Sequence, residues 1–102
     1  MPKFVIQRHI PGAGQLSPAE LQGIAEKSCG VLREMGSDVQ WLHSWVTDSH
    51  IFCIHIAPDE ERVREHARKG GFPADAVFRV DKRIDPTTAE GVLEAAVQPQ
   101  RT

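Results

Sequence analysis

The chain has 102 residues, twelve Lys and Arg against fourteen Asp and Glu, a formal charge of −2 and two cysteines. That length fits one domain able to bury roughly 60–70% of the surface its unfolded form exposes, and the near-neutral balance argues against nucleic acid as a partner. Cys29 and Cys53 match neither a disulfide framework nor a CxxC metal clip, no apolar run approaches the ~20 residues of a membrane span, and no signal-peptide pattern is read at the N-terminus, so the expectation is a cytoplasmic protein with no membrane partner.

KFVIQRH (3–9), rich in β-branched and aromatic residues and stopped by IPGAG, predicts a first strand. Ser17 as N-cap, Pro18 at the first helical position and Glu20 at capping-box spacing then open a helix. Leu21, Ile24, Ala25, Ser28, Leu32 and Met35 form one stripe of it, and Gly36 stops it. Cys29 falls at the margin of that stripe, where a half-buried structural thiol is expected. VQWLHSWVT (39–47) and HIFCIHIA (50–57) flank Asp48-Ser49 and predict a tight hairpin of strands two and three. With a two-residue turn, Thr47 faces His50, Trp45 faces Phe52, His43 faces Ile54 and Trp41 faces Ile56. Trp41, His43 and Trp45 then share one face. Leu42, Ser44, Val46, Ile51, Cys53 and His55 take the other, so both faces are largely apolar and each needs a cover.

APDEERVREHARKGG (57–71) predicts a second helix with an acidic first turn, a basic last turn and Gly70-Gly71 as its stop. Its inward stripe is thin, Val63, His66, Ala67 and Gly70, which permits close approach to a sheet. The run RVREHARK (62–69), with Glu60, Glu61 and Glu65 among its cations, reads as a solvated helix face. AVFRVDKRI (76–84) alternates Phe78 and Val80 with Arg79 and Asp81, as an edge strand does, and Asp85-Pro86 ends it. Residues 91–102 are expected to form a C-terminal extension, with a short helix or extra strand around Val92 to Val97 and a disordered tail. The order βαββαβ over residues 1–90 predicts an α+β, ferredoxin-like domain with sheet order 4-1-3-2 and both helices on one face. The other face carries Trp and Phe, so it is expected to meet a second subunit in a homodimeric α+β barrel.

Five histidines offer chemistry. Strand one runs antiparallel to strand three, which brings His9 near His50, with Asp48 in the turn at the same end. Two imidazoles and a carboxylate at an exposed rim suit a divalent transition metal. Trp41, His43, Trp45, Cys53 and His55 are candidate walls of a ligand pocket, in which a desolvated His43 or His55 serves as base. The competing reading makes these histidines satisfied core residues and Cys53 a packed thiol, with His66 reaching His55 or a backbone carbonyl. GxSxG, HExxH and a phosphate-cradling glycine loop are all missing from the sequence, GAG (12–14) lacks the rest of a nucleotide fingerprint, and tyrosine is absent.

Several motifs occur together: W-x-H-S-x-V-T-D (41–48), Cys53, A-P-D-E-E (57–61), R-E-H-A-R (64–68), G-F-P-A-D (71–75) and I-D-P-T-T-A-E (84–90). Over about residues 3 to 90 this set resembles a bacterial domain-of-unknown-function family whose structurally described member is a small nickel-binding protein. The resemblance implies a ferredoxin-like fold, a homodimer, and a nickel ion bound at the dimer surface with a storage or homeostasis role. It implies no reaction. At His55 and Ile56 this chain departs from the aromatic and acidic residues such sequences tend to have. The expectation is therefore a nickel-binding protein rather than an enzyme. Its alternatives are a cofactor-free monooxygenase or isomerase of the dimeric barrel type and a non-catalytic dimerisation module.

Overall fold

In the computed structural model, which describes residues 1–91, KFVIQRH forms strand β1 (Lys3–His9). Phe4, Ile6 and Arg8 turn inward and are buried, as the period of two requires. A short 3-10 turn at Ala13–Gln15 leads to helix α1 (Pro18–Met35). The capping box expected there forms in full: Ser17 Oγ accepts from the Glu20 amide at 3.1 Å, and the Glu20 carboxylate accepts from the Ser17 amide at 2.8 Å. Because Pro18 at the first helical position has no N–H, the helix start has three orphan donors, and two of them are satisfied in this way.

Strands β2 (Gln40–Val46) and β3 (His50–Ile56) form the expected hairpin, and helix α2 (Glu60–Gly70) follows. Its N-cap is Asp59, whose carboxylate accepts from the Arg62 amide at 2.9 Å. Val63, His66, Ala67 and Gly70 are the buried residues of α2, the stripe read from the sequence. At its end Gly71 adopts φ +70°, and the Phe72 amide turns back to the Ala67 carbonyl at 2.9 Å. A Cβ on Gly70 would collide with the Phe72 ring, so glycine at 70 is what lets that ring fold under the helix.

Strand β4 is Ala76–Arg79, shorter than the 76–84 expected. The reason is its partner. Arg79 pairs with Phe4, the Val80 amide reaches the Lys3 carbonyl at 2.9 Å, and beyond that point the Pro2 carbonyl is taken by the Ala57 amide. Arg83 and Asp85 instead lead into a second 3-10 turn, Pro86–Glu90, capped by Asp85. The extension expected from 91 onward, with its helix or strand around Val92 to Val97, lies outside the described residues except for Gly91.

The sheet runs β2-β3-β1-β4 with every neighbouring pair antiparallel, a ferredoxin-like arrangement. The core forms between it and the helices, from Phe4, Ile6, Ile51, Val31, Met35 and Val63. Arg62 of α2 ties the end of α1 down, donating to the Met35 carbonyl and to both carboxylate oxygens of Asp38 at 2.7 to 3.0 Å. Among the described residues no helix is long and apolar enough to cross a membrane.

The hairpin register agrees with expectation from Val46 to His43, with Trp45 opposite Phe52 and His43 opposite Ile54. It then breaks. An irregularity between Trp41 and His43 leaves Leu42 unpaired, so Trp41 lies opposite His55 instead of Ile56. One extra residue flips every earlier side chain to the other face. Trp41 therefore joins Ser44 and Cys53 on the helix side, where its indole Nε1 donates to Ser44 Oγ at 2.9 Å. Cys29, expected to be half-buried, is exposed, because the inward face of α1 runs through Ser28 and Val31.

Candidate metal and ligand sites

On the sheet face away from the helices, the β1–β3 register sets His9 directly opposite His50, their ring centroids 5.0 Å apart. His50 is further fixed by Ser49 Oγ, 2.9 Å from its Nδ1, and by stacking on Phe52 at 5.6 Å. Asp48 does not complete this pair. Its carbonyl accepts from the Gly14 amide at 3.1 Å, and its carboxylate oxygen stands 3.1 Å from where a Gly14 Cβ would be, so the side chain is turned to the 3-10 turn. The acid beside His9 is Asp75, whose carboxylate accepts from the His9 amide. Among the described residues no group of three or more His, Cys, Asp or Glu side chains is gathered so as to hold a metal ion. Within one chain the rim offers two adjacent imidazoles.

His43 and Trp45 lie on this same open face, ring against ring at 4.5 Å in an edge arrangement. Trp45 is 57% exposed and so is Phe78 of β4, two large apolar side chains facing solvent. Neither His43 nor Trp45 lines the cavity on the inner face. The pocket grouping read from the sequence thus divides, with Trp41, Cys53 and His55 on the inner face and the other two outside.

Between the sheet and the helices is a cavity of about 230 Å³. Leu21, Ile24 and Ala25 of α1, only half-buried, form one wall; Trp41, Val46 and Ile51 form another. Polar groups gather at one side of it. Arg8, 3% exposed, donates from Nε to Cys53 Sγ at 3.3 Å and from Nη1 to the Pro73 carbonyl at 2.6 Å, and lies 5.5 Å over the Phe72 ring. His66 of α2 shares a hydrogen bond between its Nε2 and Ser28 Oγ at 3.0 Å, and His55 meets His66 edge to face at 5.0 Å. The Nδ1 atoms of both rings are sealed from solvent with no partner among the described residues. Burial, then the neighbouring His66 and Arg8, push the His55 imidazole down to about 3. Burial and then Arg8 push His66 down to about 4. At neutral pH both rings are uncharged.

Sequence reasoning missed Arg8, whose place on the inner face follows from strand alternation alone. Phe72 was also missed, and only the clash that a side chain at position 70 would cause could have marked it. Ser28 stands in the predicted stripe without a role, and of the two partners expected for His66, His55 or a backbone carbonyl, the structure sets its ring against His55 and bonds it to Ser28.

Comparison with known proteins bears on both sites. A search of curated proteins returns no match. The fold is similar to that in the "Crystal structure analysis of SCO4226 from Streptomyces coelicolor A3(2)", with a TM-score of 0.68 and 18% sequence identity, covering 80% of this chain and 99% of that one. At that identity the likeness establishes the fold. Residues 4–80 match the family described as "Nickel responsive protein SCO4226-like". The motifs of the hairpin, α2 and Gly-Phe-Pro turn lie inside the matched span, and with them the βαββαβ frame that carries both sites: this chain belongs to the SCO4226-like nickel-responsive protein family.

Proposed function

We propose that this protein binds nickel(II) as a homodimer, with His9 and His50 on the open face of its sheet supplying imidazole nitrogens. The observation that carries this reading is the cross-strand His9–His50 pair at a 5.0 Å ring separation. Imidazole is a donor that nickel favours, and the Ser49 hydroxyl at His50 Nδ1 is the kind of outer partner that orients a metal-bound ring. The family description, nickel responsive, points the same way. Two donors do not fill a nickel coordination sphere, so water or groups of a second copy complete it. Asp48, with its carboxylate turned to the Gly14 turn, joins only if that turn rearranges.

The dimer rests on Trp45 and Phe78, whose exposure on the same sheet face is costly for a monomer. Packing that face on its copy is the symmetric solution. A site of one exposed and one half-buried imidazole on an open sheet face, able to exchange with solvent, suits storage or homeostasis better than catalysis. Calorimetric titration of the tag-free chain with nickel chloride tests the reading. Binding tighter than about 1 mM, lost when His9→Ala and His50→Ala are combined, is expected; unchanged binding in the double variant would overturn the assignment.

A further inference from the structure

The cavity between α1 and the sheet lies on the opposite side of the sheet from the nickel reading, and its chemistry is different. None of the described residues that line it is acidic. Among the described residues its one charge is the Arg8 guanidinium, which is almost wholly buried, forms no ion pair with them and receives no hydrogen-bond acceptor from them at Nη2. Among the described residues the atoms sealed off without partners are the two Nδ1 nitrogens and not Nη2, and Arg8 is one of the residues that line the cavity. An unpaired buried cation is costly unless a counter-charge reaches it. Lys27 Nζ, 5.8 Å over the same Phe72 ring, adds positive charge to that side. The remaining walls are mostly apolar side chains, among them the Trp41 indole that the Leu42 irregularity has turned inward, with the Ser28 and Ser44 hydroxyls between them.

We propose that this cavity binds a small organic monocarboxylate, its carboxylate paired with Nη2 of Arg8 and its apolar body lying between Trp41 and the Leu21, Ile24 and Ala25 face of α1. A guanidinium with free N–H groups matches a carboxylate in charge and geometry. The volume of about 230 Å³ is below the range of drug-sized pockets and sets the class as a compact acid, one aromatic ring or a short branched chain. With His55 and His66 uncharged, Arg8 is the cation among the described residues lining the cavity, and a single carboxylate balances it.

The test uses the full chain at pH 7 with two probes of similar size, sodium benzoate and uncharged benzyl alcohol, followed by calorimetry and by amide chemical shifts. Benzoate should bind at least about tenfold more tightly than benzyl alcohol, with shifts at Arg8, Cys53 and Phe72 and none centred on His43 or Trp45. Arg8→Gln should bring the two affinities together. Because that substitution alters a buried group and risks the fold, Ala25→Leu provides the second arm: it narrows the cavity from a half-buried helix position and should abolish binding of both probes. Equal affinity of the two probes for the unaltered chain, no saturable binding of benzoate, or benzoate binding that survives Ala25→Leu would each overturn the proposal.

Discussion

Three histidines, His9, His43 and His50, stand on the open face of the sheet, while His55 and His66 lie between the sheet and the helices. The outer rings are in contact with one another or with an aromatic neighbour, at least partly open to solvent. The inner rings are buried, each with an orphaned Nδ1, and are held neutral by burial and by Arg8. The same residue type is thus available to a metal on one face and locked out of protonation on the other. Position relative to the helices, rather than the density of histidines in the sequence, decides which chemistry each can do.

If the inner face alone is a packed core, substitutions on the two faces should differ most in stability. Ile6→Ala, at a fully buried inner position, should cost about 2–5 kcal/mol in urea denaturation. Trp45→Glu on the outer face should leave the unfolding energy of the monomer within about 0.5 kcal/mol while abolishing self-association in sedimentation equilibrium. Comparable losses of monomer stability at both positions would break the distinction.

Acid should find the inner face next. The folded-state values of His55 and His66 lie below the ordinary 6.5, so below about pH 6.5 the unfolded chain takes up protons that the folded chain refuses. The stabilisation is complete above pH 6.5 and is lost as the pH falls through about 4 for His66 and about 3 for His55. Each imidazole contributes a slope of about 1.4 kcal/mol per pH unit in that window. Urea midpoints from pH 7 to pH 4.5 should fall accordingly, and His66→Gln should make the decline shallower; a flat profile in the unaltered chain would contradict the buried neutral assignment. A smaller effect is expected at Ser28. Ser28→Ala removes the one hydrogen-bond partner that the His66 ring has among the described residues and leaves neither ring nitrogen satisfied by them, at a cost of about 1–3 kcal/mol.

The frame of this molecule was open to sequence reasoning because each element carries its own local signal. The Ser17-Pro18-Glu20 cap, the Gly70-Gly71 stop and the alternation of KFVIQRH all act within a few residues, and antiparallel pairing of β1 with β3 then brings His9 to His50 without further information. What was not legible depends on contacts distant in sequence or on a one-residue slip. Nothing in WLHSW marks Leu42 as unpaired, since no glycine or proline stands there, yet that slip moves Trp41 from the open face into the cavity. The turn of the Asp48 carboxylate towards Gly14 depends on how the 3-10 turn after β1 packs on the hairpin tip, two segments more than thirty residues apart. Arg8 reads as an ordinary strand cation until Cys53, Pro73 and Phe72 close around it.

The most direct test of the division between faces is a nickel titration of isotopically labelled, tag-free protein followed by amide NMR, because paramagnetic nickel(II) broadens the signals nearest to it. Broadening that begins at His9, Ser49 and His50 while His55 and His66 stay sharp is the predicted result. Broadening centred on Cys53, His55 and His66 would contradict the account, because it would place the metal among the inner rings that burial keeps from the solvent.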